Sequence, residues 1–273
     1  MPFITNHSIT VGIPFYQKTN PEYLDVAIKS IINQTLPPDK IHLIQDGEIN
    51  EELKRVIKKY KDTYSYIELI VLPKKGLPYA LNQSIKQSKT EYYARMDSDD
   101  IAIKDRFELQ IEYFKKNAEL KILGTWAYEF EDDYSDINKL YINKTPFQKN
   151  KIEDYFHYRN PLIHPSVMFK IDLFKKIGYY NEKMYTDQDL ELWGRALSKK
   201  INISNIQKPL IFLRTENRLI RRSQFSAIKR QIIIRYSYNT CSFKLNLLKL
   251  ASIFSRILPL RLMELVYKNF RDF

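Results

Sequence analysis

The alternation of strand-like and helix-like stretches over the first 120 residues constrains the fold of this chain more than any other feature. Ser8 to Pro14 is a β-branched apolar run. Pro21 to Gln34 follows with Leu24, Ala27, Ile28, Ile31 and Ile32 at helical spacing. Ile41 to Gln45 predicts a second strand ended by Asp46-Gly47, and Glu51 to Tyr60 a charged surface helix. Ile67 to Leu72 predicts a third strand closed by Pro73, and Leu77 to Gln87 a helix with Leu81 and Ile85 on one face. Glu91 to Met96 predicts a fourth strand running into Asp97-Ser98-Asp99-Asp100, before a helix over Lys104 to Asn117. This order implies an α/β fold with a mainly parallel sheet flanked by helices.

Beyond Leu120 the pattern is looser. Ile122 to Phe130 and Ser166 to Phe169 read as strands, and Lys149 to Arg159 as a short helix. Asp187 to Ser198 is a helix with Leu190, Trp193 and Leu197 on one side. One α/β domain with a C-terminal extension suits 273 residues, 44% of them hydrophobic. The single Cys241 excludes a disulfide framework and a multi-cysteine zinc site, and fits a reducing cytoplasm. Neither a signal peptide nor an apolar run of spanning length is visible, so a soluble or peripheral protein is expected.

The net charge of +12 is unevenly placed. Arg214 to Phe273 holds 13 Lys/Arg against three acidic residues, leaving only +2 for the first 213. A near-neutral body with a basic tail is the pattern of a catalytic domain plus a surface-binding appendix, rather than of a nucleic-acid-binding body.

Ligands of open α/β sheets sit beyond the carboxyl ends of the strands. The polar residues here fall at such ends: Tyr16 after the first strand, Asp46 after the second, Asp97 to Asp100 after the fourth. Two Asp separated by one residue can place one carboxylate on a sugar hydroxyl and the other on Mg²⁺ or Mn²⁺, which favour hard oxygen ligands. Each element also has a plainer reading. Ser98 to Asp100 can cap the helix near Lys104, Asp46-Gly47 can be only a turn, and Tyr16 can be a core aromatic. Asp187-Gln188-Asp189 is either an ordinary acidic first turn or the source of a general base. His164, in the proline-bracketed stretch Arg159 to Ser166, either lines a second substrate site or bonds to backbone.

Taken in order, several stretches resemble the bacterial family 2 glycosyltransferases of the GT-A fold, over about residues 8 to 215. They are ITVGIPFYQ (9 to 17), IINQT (31 to 35), IHLIQDG (41 to 47), GLPYALNQSI (76 to 85), ARMDSDDIAIKDRFELQ (94 to 110), NPLIHPSVMF (160 to 169), IGYYNE (177 to 182) and TDQDLELWGRAL (186 to 197). The resemblance is nearest to enzymes of capsule, exopolysaccharide and O-antigen synthesis, the amylovoran enzymes among them.

The resemblance implies a GT-A catalytic domain over 1–215, with a nucleotide-binding half (1–120) and an acceptor half (121–215), and a basic, amphipathic helical extension over 216–273. It implies a UDP-sugar donor, with Pro14 and Tyr16 beside uracil, Asp46 accepting its N3–H, and Asp97 near the ribose. Asp99, with Asp97, would hold Mn²⁺ or Mg²⁺. Asp189 would be the base of an inverting transfer, and His164 and Trp193 would lie at the acceptor site. The acceptor implied is a glycan on a polyprenyl diphosphate, met at the cytoplasmic face of the membrane by a peripheral enzyme. Two positions depart from the family pattern: Gln188 stands where many relatives have Glu, and Leu213-Arg214-Thr215-Glu216 lacks the family's His.

The tail places Phe243, Leu247, Leu250, Phe254 and Leu258 at helical spacing, interrupted by Lys244, Lys249 and Arg256. Such a helix either lies in a membrane interface or packs on the domain. Three rival readings remain, one of them a catalytically silent nucleic-acid- or membrane-binding protein, against which the intact Asp99 and Asp189 argue. A sugar-nucleotide pyrophosphorylase would carry a Gly-rich basic phosphate loop near its start, which Ile13 to Tyr16 is not. A nucleic-acid-binding module would use the basic tail and bind with strong salt dependence.

Overall fold

The computed structural model describes residues 7–215 and 225–255. In chain order the elements are β1 (Ile9–Tyr16), α1 (Pro21–Ile32), β2 (Lys40–Asp46), α2 (Glu51–Thr63), β3 (Ile67–Leu72), α3 (Leu77–Gln87), β4 (Tyr92–Arg95), β5 (Ile101–Ala102) and α4 (Arg106–Lys116). They continue with β6 (Leu120–Phe130), β7 (Tyr141–Asn143), α5 (Lys149–Phe156), β8 (Met168–Lys170), α6 (Leu173–Ile177), α7 (Gln188–Ser198), β9 (Asn202–Arg214), α8 (Phe225–Arg235) and α9 (Phe243–Phe254).

Local chemistry sets the boundaries. Asn20 caps α1 by accepting the Glu22 backbone N–H at 2.8 Å, and Pro21 follows at the position where its missing N–H costs nothing. The face of α1 carrying Leu24, Ala27, Ile28 and Ile31 is fully buried, as its spacing predicts. Each of the larger of these side chains contributes about 1.5–3 kcal/mol of transfer free energy.

The strands form one sheet in the order β3-β2-β1-β4-β8-β6-β9-β5, with β7 paired to β6. β1 to β4 are parallel, as the alternation predicts. Beyond β4 the sheet is mixed: β8 runs antiparallel to β4 and β6, while β6 and β9 are parallel. Side chains alternate across it. Tyr92 and Ala94 face a core shared with α1, α2 and α4, whereas Tyr93 faces a second core built on α3, α5 and α7.

This topology opens a crevice. From β1 the chain steps outward through β2 to β3, then returns to the other side of β1 as β4, making the β1/β4 boundary a topological switch point. The β1–β4 ladder ends at Gly12 and Arg95, and beyond it β1 keeps a partner only in β2. Pro14 falls in that half-paired segment, where a residue without an N–H is tolerated.

The strand β9 went unread in the sequence. Its ladder with β6 is irregular between Thr125 and Ala127, opposite Ile206 to Ile211, where Lys208 and Pro209 break the apolar alternation.

The C-terminal hairpin α8–α9 packs on the catalytic body. Ile234 is buried in the second core, Arg235 donates to the Phe156 carbonyl, and the His157 and Tyr238 rings stack 5.7 Å apart. The apolar stripe of α9 does not make this contact. Phe243, Leu247, Leu250 and Phe254 face outward, and Lys249 and Ile253 are buried instead. Glu216 and Leu258 lie outside the described residues.

Candidate active site

The parallel register places Tyr16 directly opposite Asp46 at the carboxyl edge of β1 and β2. Both border a cleft of about 440 Å³, together with Gln17, Val71, Pro73 and Lys74 among others. Tyr16 is 46% exposed, so its ring is available as a stacking surface. Pro14 is buried within β1 opposite Ile44 and supports the strand end instead of facing the cleft.

Asp46 does more than end a turn. Its carboxylate accepts the backbone N–H of Lys75 at 2.8 Å and of Gly76 at 3.0 Å, clamping the segment between β3 and α3 against the cleft. Gly76 has φ +89°, in the region that favours glycine.

The segment after β4 gathers three carboxylates. One oxygen from each of Asp97, Asp99 and Asp100 lies within 4.8 Å of the others. Asp99 is the most open to solvent of the three, yet the protein around it and then the Asp97 charge push its pKa up to about 6. Asp100 is buried and raised further by burial and by both neighbours. A shortage of positive charge among hard oxygen donors suits a divalent cation, so the residues fit Mg²⁺ or Mn²⁺.

The helix-cap reading of this cluster is corrected. Helix α4 starts at Arg106, preceded by Asp105, and Asp100 instead accepts the Arg214 backbone N–H at 2.9 Å. That bond ties the carboxylate segment to the end of β9. Arg214 reinforces it: Nε donates to the Asp99 carbonyl at 3.2 Å, and the guanidinium lies 3.7 Å from the Tyr23 ring centroid. Arg214 was visible in sequence only as a neighbour of the missing His.

Arg95 stands beside the carboxylate cluster. It is buried, and its Nη2 donates to Asp97, while Nε and Nη1 have no hydrogen-bond partner. Its charge lowers the pKa of Asp99 and also that of Asp189. Asp189 opens α7 beyond Asp187, a residue in the left-handed conformation that Asp tolerates. Burial and then the Asp187 charge raise the Asp189 pKa, whereas a hydrogen bond from Asn160 lowers it. Sequence reasoning missed Asn160 and Arg95, although both lie in stretches that carry the family resemblance.

His164 and Trp193 back the crevice instead of lining it. Trp193 is fully enclosed against Phe169, and His164 lies edge-on to it, bonded through Nε2 to the Tyr180 hydroxyl at 2.8 Å. Burial holds the His164 imidazole well below its usual pKa and therefore neutral. An expected role for either residue in touching acceptor is not supported by this packing.

A switch-point crevice with Tyr16 and Asp46 on a cleft at the β1–β2 edge, three clustered carboxylates after β4 and a further carboxylate, Asp189, in the first turn of α7 is the arrangement of a nucleotide-sugar transferase of the GT-A fold. The chain belongs to glycosyl transferase family 2, whose model matches residues 10–178. It is 32% identical over 267 residues to the UDP-Gal:alpha-D-GlcNAc-diphosphoundecaprenol beta-1,3-galactosyltransferase of Escherichia coli, covering 95% of each chain. It is 28% identical over 270 residues to the amylovoran biosynthesis glycosyltransferase AmsE of Erwinia amylovora, covering 96% of this chain and 98% of that one. Among solved structures, the mannosyltransferase PcManGT of Pyrobaculum calidifontis, in complex with GDP-Man and Mn²⁺, superposes with a TM-score of 0.61. That match is 12% identical and covers 99% of this chain and 82% of the other, so it bears on fold alone.

Proposed function

We propose that this glycosyltransferase moves a hexosyl unit from a UDP-sugar to a hydroxyl of a lipid-linked oligosaccharide, with inversion, during synthesis of a bacterial surface polysaccharide. The observation that carries the reading is the gathering of one carboxylate oxygen from each of Asp97, Asp99 and Asp100 within 4.8 Å of the others, directly after β4 at the switch point of the sheet. The galactosyltransferase of E. coli, named for a UDP-Gal donor and a diphosphoundecaprenol-linked acceptor, supports both substrate classes.

Tyr16 stacks on the base and Asp46 accepts its N3–H while still holding the Lys75–Gly76 turn. Asp97 meets the ribose, and Asp99 with Asp97 holds Mn²⁺ or Mg²⁺. When bound, the cation supplies Lewis-acid stabilisation of the departing diphosphate. Asp189 takes the proton of the acceptor hydroxyl as its oxygen attacks C1 from the face opposite UDP. The raised pKa of Asp189 suits that task, because a stronger base accepts the proton more readily. The enzyme works as a peripheral protein at the cytoplasmic face of the membrane, where the basic extension meets anionic lipid. Among the described residues, no helix is long and apolar enough to cross a bilayer.

The test is a panel of UDP-, GDP- and dTDP-sugars with Mn²⁺ or Mg²⁺, following nucleoside diphosphate release with and without a polyprenyl-diphosphate-linked acceptor. Acceptor-stimulated UDP release is expected. Pyrophosphate-dependent formation of UTP, or no release from any donor, would overturn the reading.

A further inference from the structure

The outward face of α9 has a composition that a free protein surface does not need. Phe243, Leu247, Leu250 and Phe254 are 84%, 58%, 41% and 59% exposed. At about 100° per residue these four positions fall within roughly 60° of one another, along about 16 Å of helix. The opposite side of α9 is fixed: Lys249 is buried, with Nζ 4.5 Å from the Tyr236 ring centroid, and Ile253 is 2% exposed. Ile232 and Ile233 of α8 are exposed as well.

The charge around this face has one sign. From Phe225 to Ser255 there are five Lys/Arg and no acidic residue, and Lys229 and Lys244 are exposed. A second copy docking through the same face would bring cation against cation. Nucleic acid would leave the phenylalanines and leucines in water. An anionic bilayer satisfies both features, with the apolar stripe among the acyl chains and the lysines at the headgroups.

We infer that the α8–α9 hairpin is a bilayer-docking element, with Phe243, Leu247, Leu250 and Phe254 as its inserting face. The inference rests on the proposed lipid-linked acceptor for its purpose, though not for its physical basis. The hairpin is anchored to the helix that carries Asp189. Ser198 Oγ donates to the Ser237 carbonyl at 3.1 Å, and Arg230 faces Asp187 at 3.6 Å. At Gly194 a Cβ would lie 2.8 Å from Ser237 Oγ, so only glycine permits the observed approach. Docking through α9 therefore fixes the orientation of α7, and of the candidate base, relative to the membrane plane.

The experiment is co-sedimentation of the full chain with vesicles of phosphatidylcholine alone or mixed with phosphatidylglycerol. Wild type is compared with a variant carrying Phe243→Ser, Leu247→Ser, Leu250→Ser and Phe254→Ser, and with Lys229→Glu/Lys244→Glu. The serine variant should lose at least tenfold in vesicle partitioning, and the charge variant its preference for the anionic vesicles. Both should bind UDP with Mn²⁺ as wild type does, which shows that the catalytic body is folded. Vesicle binding unchanged by the serine substitutions overturns the inference. So does a wild-type dimer that these substitutions convert to monomer without loss of vesicle binding. Failure of all donors to release nucleotide would instead remove the transferase reading, and would leave the vesicle result standing.

Discussion

The Asn160 side-chain amide donates to Asp189 Oδ2 across 2.5 Å, joining the loop before β8 to the first turn of α7. Asn160 is itself held, because its Oδ1 accepts the Leu162 backbone N–H at 3.3 Å. The amide thus sets the rotation of the carboxylate and stabilises its charged form.

Asn160→Ala should reduce kcat by roughly 10- to 100-fold, the equivalent of about 1.5–3 kcal/mol for a hydrogen bond to a charged group. UDP affinity should be retained. The bond lowers the Asp189 pKa, so its loss raises that pKa and depletes the basic form as pH falls. The acid limb of the kcat profile should therefore move to higher pH, making the variant's deficit grow as pH falls. An unmoved limb would show that Asn160 acts only on packing. Asp189→Asn is the companion variant: calorimetry should find UDP binding intact and turnover lost by about 10²-fold or more. A near-wild-type rate would remove Asp189 as the base.

The parallel half of the fold was legible because each strand is a short apolar run punctuated by Asp-Gly, Pro or a carboxylate cluster. The same half placed Tyr16, Asp46 and Asp97 at strand ends, since parallel strands bring their carboxyl ends to one edge. β9 was not legible, because Lys208 and Pro209 interrupt its alternation at a ladder irregularity that only pairing with β6 makes tolerable. β5 has two residues and no pattern to read. The partner of Asp100 lies 114 residues away in Arg214, a distance at which local cap chemistry is the wrong guide. Helical spacing revealed the stripe on α9 but not its direction, which depends on the Lys249 and Ile253 side being the one packed inward.

Asp99→Ala should abolish transfer and metal-dependent UDP binding. Chelation by EDTA should do the same to the wild type, with Mn²⁺ or Mg²⁺ restoring it. A carboxylate of raised pKa holds its proton to higher pH, and a divalent cation must displace that proton into water, so metal binding should weaken as pH falls toward about 6. Calorimetric titration of UDP with and without Mn²⁺ reads both effects. Equal UDP affinity in wild type and variant, with metal present, would move the cation away from Asp99.

Gly76→Ala should weaken UDP binding while leaving the chain folded. Gly76 has φ +89° and ψ 168°, a conformation costing an alanine about 1–3 kcal/mol. The added Cβ would also lie 3.2 Å from the Tyr185 ring. Relief of that strain pulls the Gly76 N–H from Asp46, freeing the carboxylate and shifting the cleft wall at Pro73 and Lys74. A several-fold rise in the Kd for UDP, with a fall of a few degrees in Tm, is expected. Unchanged Kd would detach this turn from nucleotide binding.

Arg95→Met keeps much of the side-chain volume and removes the buried charge that faces Asp97. Two opposing effects meet here. The guanidinium leaves Nε and Nη1 unbonded, a cost that methionine avoids, while Asp97 loses its counter-ion among three clustered carboxylates. For stability these terms oppose one another, but for cation binding they do not. Withdrawing a positive charge a few ångströms from the carboxylates strengthens their field by about 1–2 kcal/mol after solvent screening. Mn²⁺ should therefore bind the Arg95→Met chain roughly five- to thirtyfold more tightly than wild type, and raise its Tm by more. Transfer should nevertheless be slower, because Asp97 is no longer held for the donor. Weaker Mn²⁺ binding in the variant would mean that Arg95 shapes the cation site mainly through geometry, with its charge secondary.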